Sequence, residues 1–205
     1  MIDAQNKFSH HLIIFLASFL FVIILAYSGI GFSRSVAAVS YIILCLILLI
    51  GPAVKIWPSV VKIPPKEFPW GVRGEMGIWF AVWSVIHVLF VFHGRDWDVI
   101  GYITGMSPWA FGAFVAVFMA IILAAISFRG AINFLGAEAW KWLQNYFTYV
   151  IFWLAIVHVA YDRAFLRPGF PSADFLHWTY LLMTFAVLIL QIWGFIKTVQ
   201  NKEQK

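Results

Sequence analysis

Six continuous apolar runs, each about as long as a helix that crosses a bilayer, leave this chain few folds to choose from. They are Leu12–Ile30, Val36–Val54, Glu75–Phe92, Trp109–Phe128, Leu143–Tyr161 and Phe175–Ile196. A backbone in hydrocarbon has no water to bond, so it must close its hydrogen bonds inside a helix or a closed barrel. The alternation of barrel strands is missing, and unbroken apolarity at this length reads as helix. Breakers fall between the runs: Gly29 and Gly31, Pro52 to Pro69, Gly101 and Gly105, Gly130 and Gly136, Pro168 and Pro171. The expected fold is an all-α membrane protein, a single domain over residues 1–205 built as a bundle of six transmembrane helices.

Composition excludes several other classes. With 63% of its 205 residues hydrophobic and 11% charged, the chain carries more apolar surface than a water-soluble body of this size can hide. The single cysteine, Cys45, lies within a run, so neither a disulfide framework nor a thiolate metal cluster is available. The net charge of +5 comes without a basic stripe, so the expected partner is the lipid bilayer and not nucleic acid. Lys7, Lys55, Lys62, Lys66, Arg73, Arg129, Lys141, Lys197, Lys202 and Lys205 fall on one side of the expected bundle. Arg34, Arg95, Arg163 and Arg167 fall on the other, among Asp96, Asp98, Asp162 and Asp174. The positive-inside rule then puts both termini in the cytoplasm. The first run resembles a signal peptide in part, with Lys7 before it and Ser28 and Gly29 after it; Asp3 offsets Lys7, and the run is long enough to span.

Two histidines lie inside runs, His87 in the third and His158 in the fifth. A titratable side chain in the bilayer is costly, and such residues usually mark function. His87 is about twelve residues into its run and His158 about fifteen, so they lie roughly 18 and 23 Å from the inner ends at about 1.5 Å per residue. Both runs point outward, which brings the two imidazoles to similar depth in the outer half. Facing helices of a bundle can supply the two axial imidazoles of a haem b. The plainer reading is that each histidine hydrogen-bonds within the bundle; matched depth favours a shared ligand.

Residues three and four apart share a helix face, so Trp83, Ser84, Phe90 and Val91 accompany His87, and Leu154, Ala155, Tyr161 and Asp162 accompany His158. Trp83 is therefore a candidate wall for the cofactor. Arg95 and Arg163 are candidate partners for its propionates through charge-assisted hydrogen bonds. His93 and His177 lie at the outer edge as half-wet side chains or reserve ligands, with His177 first in reserve. Gly112, Ala116, Ala120 and Ala124 recur at every fourth position of the fourth run. Such a stripe permits close helix packing and, as a sharper reading, leaves room for a flat macrocycle.

With these residues in view, the chain resembles the ferric-reductase-like transmembrane family, and within it the MsrQ (YedZ) branch of haem-binding membrane subunits. The likeness rests on Arg73 with MGIWFAVWSVIH ending at His87, on Pro108–Trp109 and LAAIS in the fourth run, and on Gly136, Trp140, Leu143, Asn145 and His158. It spans Arg73 to Tyr161. The resemblance implies a six-helix bundle binding at least one haem b through His87 and His158, in a bacterial inner membrane. It implies electrons drawn from a cytoplasmic flavin reductase or a quinol donor, with FMN or a quinone as a possible second cofactor. It also implies an extracytoplasmic redox partner protein that accepts them, the chain being the haem redox subunit of an oxidoreductase system. One departure stands out: where that branch has a histidine after the leucine opening the fifth helix, Gln144 follows Leu143 here, and glutamine is a poor haem ligand.

No glycine fingerprint for a dinucleotide occurs, so the electron donor would be another molecule. Two rival readings fit the same residues. One is a haem-free assembly factor or small transporter, although unbroken helices without a repeat are not the usual transporter pattern. The other keeps the haem and reduces a metal ion or oxygen near His93 and His177.

Overall fold

The computed structural model describes residues 8–59, 72–160 and 175–203. Among these the chain is mostly helical, without a strand. Six long helices correspond to the six expected runs: α1 (Phe8–Tyr27), α2 (Phe32–Ile56), α3 (Arg73–His93), α5 (Pro108–Ala125), α7 (Ala137–Val159) and α8 (Phe175–Glu203). Two short helices join them, α4 (Val99–Thr104) and α6 (Arg129–Leu135). Five of the long helices are long and apolar enough to cross a membrane. The sixth, α7, has the length at 23 residues but opens with Glu138, Lys141, Gln144 and Asn145, which lower its apolarity. The chain is thus an integral, multi-pass, all-α membrane protein.

Side-chain contacts set the directions of the helices. His10 meets Glu75 and Ser18 meets Trp83, so α1 and α3 run parallel. Ser33 meets His87 and Ser40 meets Ser84, so α2 runs opposite to α3. Tyr41 meets Thr184 and Leu48 meets Gln191, so α8 is parallel to α2. The start of α1 and the end of α8 therefore share one end of the bundle, as the charge distribution required.

α2 is the axis of the bundle. Of its most apolar 18-residue window 61% is buried, against 17% in each of the other four apolar spans. Val36, Val39, Leu44, Cys45 and Leu48 are all nearly inaccessible. The outer faces are greasy instead: Leu182, Phe185, Ile189, Ile192 and Ile196 form an exposed stripe along α8 at spacings of three and four. That stripe is a lipid-facing surface, since water would not tolerate it and no helix among the described residues covers it.

Pro52, expected as a breaker near the end of the second run, lies inside α2. Proline has no N–H, so the Leu48 carbonyl one turn earlier loses its helical donor. Gln191 on α8 replaces that donor: its Nε2 donates to the Leu48 oxygen at 2.8 Å. Its Oε1 accepts from the Tyr149 hydroxyl at 2.9 Å, which ties α7 into the same knot. Gly194 lets α8 approach, because a β-carbon there would stand 3.0 Å from Pro52 Cβ. The helix continues past its proline because a partner helix repairs the bond that proline breaks.

Candidate functional site

The half of the bundle that holds the start of α2 and the end of α3 contains a cavity of about 570 Å³ between α2, α3, α5, α7 and α8. Each wall follows from helical spacing. α3 contributes Phe80, Ser84, His87 and Val91, and α7 contributes Ile151, Ala155 and His158. α5 contributes Ala110, Ala113 and Ala116, whose small side chains leave the space open. Tyr41 and Tyr180 add aromatic surface from α2 and α8, their rings packed edge to face at 5.2 Å. Arg34, Arg95 and His177 line the cavity as well.

The two histidines singled out by the sequence, His87 and His158, thus line one cavity from non-adjacent spans. His87 is held at its Nδ1, which lies 3.1 Å from the Ser33 carbonyl oxygen and 3.3 Å from the Ser33 hydroxyl. A carbonyl only accepts, so a hydrogen bond to it requires the proton on Nδ1. A polar floor lies below: the Ser40 and Ser84 hydroxyls meet at 2.7 Å, and Ser84 donates to the Phe80 carbonyl at 2.8 Å.

Arg95 lines the cavity, and its guanidinium lies over the Tyr102 ring at 4.5 Å. The corner that carries it includes two non-glycine residues with positive φ, Asp96 at 53° and Trp97 at 62°. Left-handed backbone is tolerated by Asp but costly for Trp, so the rest of the corner must enforce it. Two contacts do so: the Trp97 N–H donates to the Phe92 carbonyl at 3.0 Å, and Asp98 caps α4 by accepting from the Gly101 N–H at 2.9 Å. Arg163, the other expected partner, lies outside the described residues.

Two expectations need correction, and the plainer of the two readings of the small-residue stripe holds. Trp83 does not line the cavity: it is buried at 3% exposure, and its indole N–H donates to Ser18 Oγ on α1 at 2.9 Å. A four-residue step still rotates about 40° around a helix. That rotation, with the need of a buried indole N–H for an acceptor, turns Trp83 toward α1 and Phe15. His93 is also outside the cavity, exposed, with its ring 6.1 Å from that of Trp97. It follows His87 by six residues, about 240° around the helix. The small-residue stripe serves mainly packing. Gly112 faces Leu154 of α7 and Ala120 is buried at 2%, while only Ala116 of the four reaches the cavity. His177, the reserve ligand, does line the cavity.

Gln144 has a structural role. Its Nε2 donates to the Leu123 carbonyl at 3.2 Å and to Ser127 Oγ at 3.0 Å, and the Trp140 indole donates to the Ile126 carbonyl at 3.1 Å. The start of α7 thus satisfies carbonyls that the end of α5 leaves open. Sequence reasoning missed Ser33 as a contact of His87, and it read Arg34 only as a topology signal. Both follow the Gly29–Gly31 corner, and neither sits at a spacing that announces a site.

Among the described residues, no group of three or more His, Cys, Asp or Glu is arranged to hold a bare metal ion. The site offers three imidazoles, apolar and aromatic walls, and guanidiniums. No family profile, curated protein or solved structure matches this chain.

Proposed function

We propose that this protein is a transmembrane electron-transfer subunit that binds a b-type haem in the outer cavity. The observation that carries the reading is the shared cavity lined by His87 and His158, with the His87 Nδ1 committed to Ser33. A metal-binding imidazole is commonly fixed through its other nitrogen by a backbone carbonyl, which sets the tautomer and raises basicity. The residues present fit the group. His87 and His158 would ligate the iron, Ala113, Ala116 and Ala155 leave space for a flat ring, and Arg34 and Arg95 would pair with its carboxylates. The volume of about 570 Å³ lies within the range of about 300–1,000 Å³ usual for cofactor pockets. Bound there, the haem supplies a one-electron couple set by axial ligand, burial and hydrogen bonding.

The chain's own residues hold the ligands, exclude water with the apolar walls, and place two cations at the acidic edge. The likeness to the MsrQ branch supports a bacterial inner-membrane setting, a cytoplasmic flavin or quinol donor, and a protein acceptor outside. His177 in the same lining supports a second reading, in which the terminal acceptor is a metal ion or oxygen at the outer face.

The test is spectroscopic. Protein purified from membranes with ample haem supply is expected to show a b-type spectrum that dithionite reduces, and His87→Ala and His158→Ala are each expected to abolish it. A colourless wild-type protein overturns the reading and leaves the haem-free assembly factor or transporter. Reduction assays with ferric chelates, compared with assays on a candidate partner protein, separate the two acceptors.

A further inference from the structure

We infer that Ser33 is a positioning residue for His87, holding its ring in the tautomer with the proton on Nδ1 and the lone pair on Nε2. The geometry is a three-centre contact, Nδ1 to the Ser33 carbonyl at 3.1 Å and to the Ser33 hydroxyl at 3.3 Å. One acceptor is backbone, so the ring orientation depends on where the start of α2 sits rather than on a flexible side chain.

That start is clamped on both sides of Ser33. Phe32 meets Phe90 of α3 edge-on at 5.0 Å, three residues beyond His87. The Ser35 hydroxyl donates to the Ile30 carbonyl at 3.0 Å and to the Gly31 carbonyl at 3.3 Å. Gly29, at φ +85°, supplies the left-handed turn that brings α2 back against α3. Arg34, the next residue, lines the same cavity. One short corner therefore governs a ring orientation and the position of a cation together.

For iron the consequence rests on the haem reading. A donor hydrogen bond from Nδ1 makes the imidazole a stronger electron donor and favours the oxidised state of the metal it binds. Ser33 would then hold the midpoint potential down. A stronger acceptor at position 33 would lower it further, and removing the hydroxyl would raise it.

Two measurements test this, one without haem. Nitrogen NMR on the full-length, haem-free protein with labelled histidine, assigned by difference against His87→Gln, is expected to show His87 protonated at Nδ1. A His87 protonated at Nε2 overturns the inference. In the haem-loaded protein, Ser33→Asp is expected to raise the oxidised-to-reduced ratio at fixed potential about tenfold, about 59 mV for one electron. Ser33→Ala, the milder change should the first variant fail to fold, is expected to move it the opposite way by about threefold, in keeping with loss of one of two acceptors. Variants that keep their haem with an unmoved midpoint overturn the inference and leave the haem reading standing. A colourless wild-type protein overturns the haem reading, and the tautomer measurement then decides the role of Ser33 alone.

Discussion

Gln191 of α8 donates to the carbonyl of Leu48 in α2 at 2.8 Å, filling the place that the missing N–H of Pro52 leaves empty. The pair predicts a coupled response. Gln191→Leu is expected to destabilise the protein by about 0.6–1.7 kcal/mol, the span measured for hydrogen bonds between membrane helices. In a Pro52→Ala background the helix regains its own donor, and the same change should cost distinctly less. The Tyr149 contact is lost equally in both backgrounds and cancels. Denaturation in mixed detergent measures all four proteins, and strictly additive costs would refute the account.

Two glycines should respond in opposite ways. Gly194→Ala places a methyl 3.0 Å from Pro52 Cβ and 3.1 Å from its Cα, so backbone must move. The expected cost is about 1–3 kcal/mol, as for other overpacked sites. Gly112→Ala meets only Leu154 Cδ2 at 3.5 Å, an ordinary contact, and helix propensity favours alanine by about 1 kcal/mol. Thermal stability in detergent should fall for the first and hold or rise for the second.

Glu75 lies buried at 2% exposure in the first turn of α3, where the helix dipole favours an acid, and His10 of α1 meets its carboxylate at 3.2 Å. His10→Ala leaves that polar group without its partner from α1. The expected cost is about 1–3 kcal/mol. His10→Ala combined with Glu75→Leu removes both polar ends and should recover most of it. A double variant no more stable than His10→Ala would refute the pairing.

Haem loading should separate cavity residues from their neighbours. Ala113→Phe fills space between α5 and the histidines and is expected to cut haem content at least tenfold in a protein that still folds. Trp83→Phe removes the donor to Ser18 and should lower stability by about 1 kcal/mol while the absorption spectrum stays unchanged. His93→Ala should likewise leave the spectrum intact. Loss of haem in Trp83→Phe, with Ala113→Phe unaffected, would place the site elsewhere in the bundle.

The long helices and the two histidines within them were legible in the sequence, because membrane insertion is decided run by run from local composition. His87 and His158 stood out as polar residues in apolar surroundings, a contrast that needs no knowledge of neighbours. Ser33 carried no such mark, because what distinguishes it is a ring 54 positions further along the chain.

What the sequence determined by itself is therefore the medium, the helices, and the identity of the polar groups carried within them. Tertiary structure alone decided which way each face turns. Trp83 went to α1 while Ser84, one position on, went to the cavity. It also decided that Pro52 continues a helix, since the group that relieves it sits on α8, 143 positions from the carbonyl it serves. The physical reason is common to both cases. The cost of entering lipid is a property of a segment, whereas the satisfaction of each polar atom within it belongs to a pair, and only packing brings the pair together.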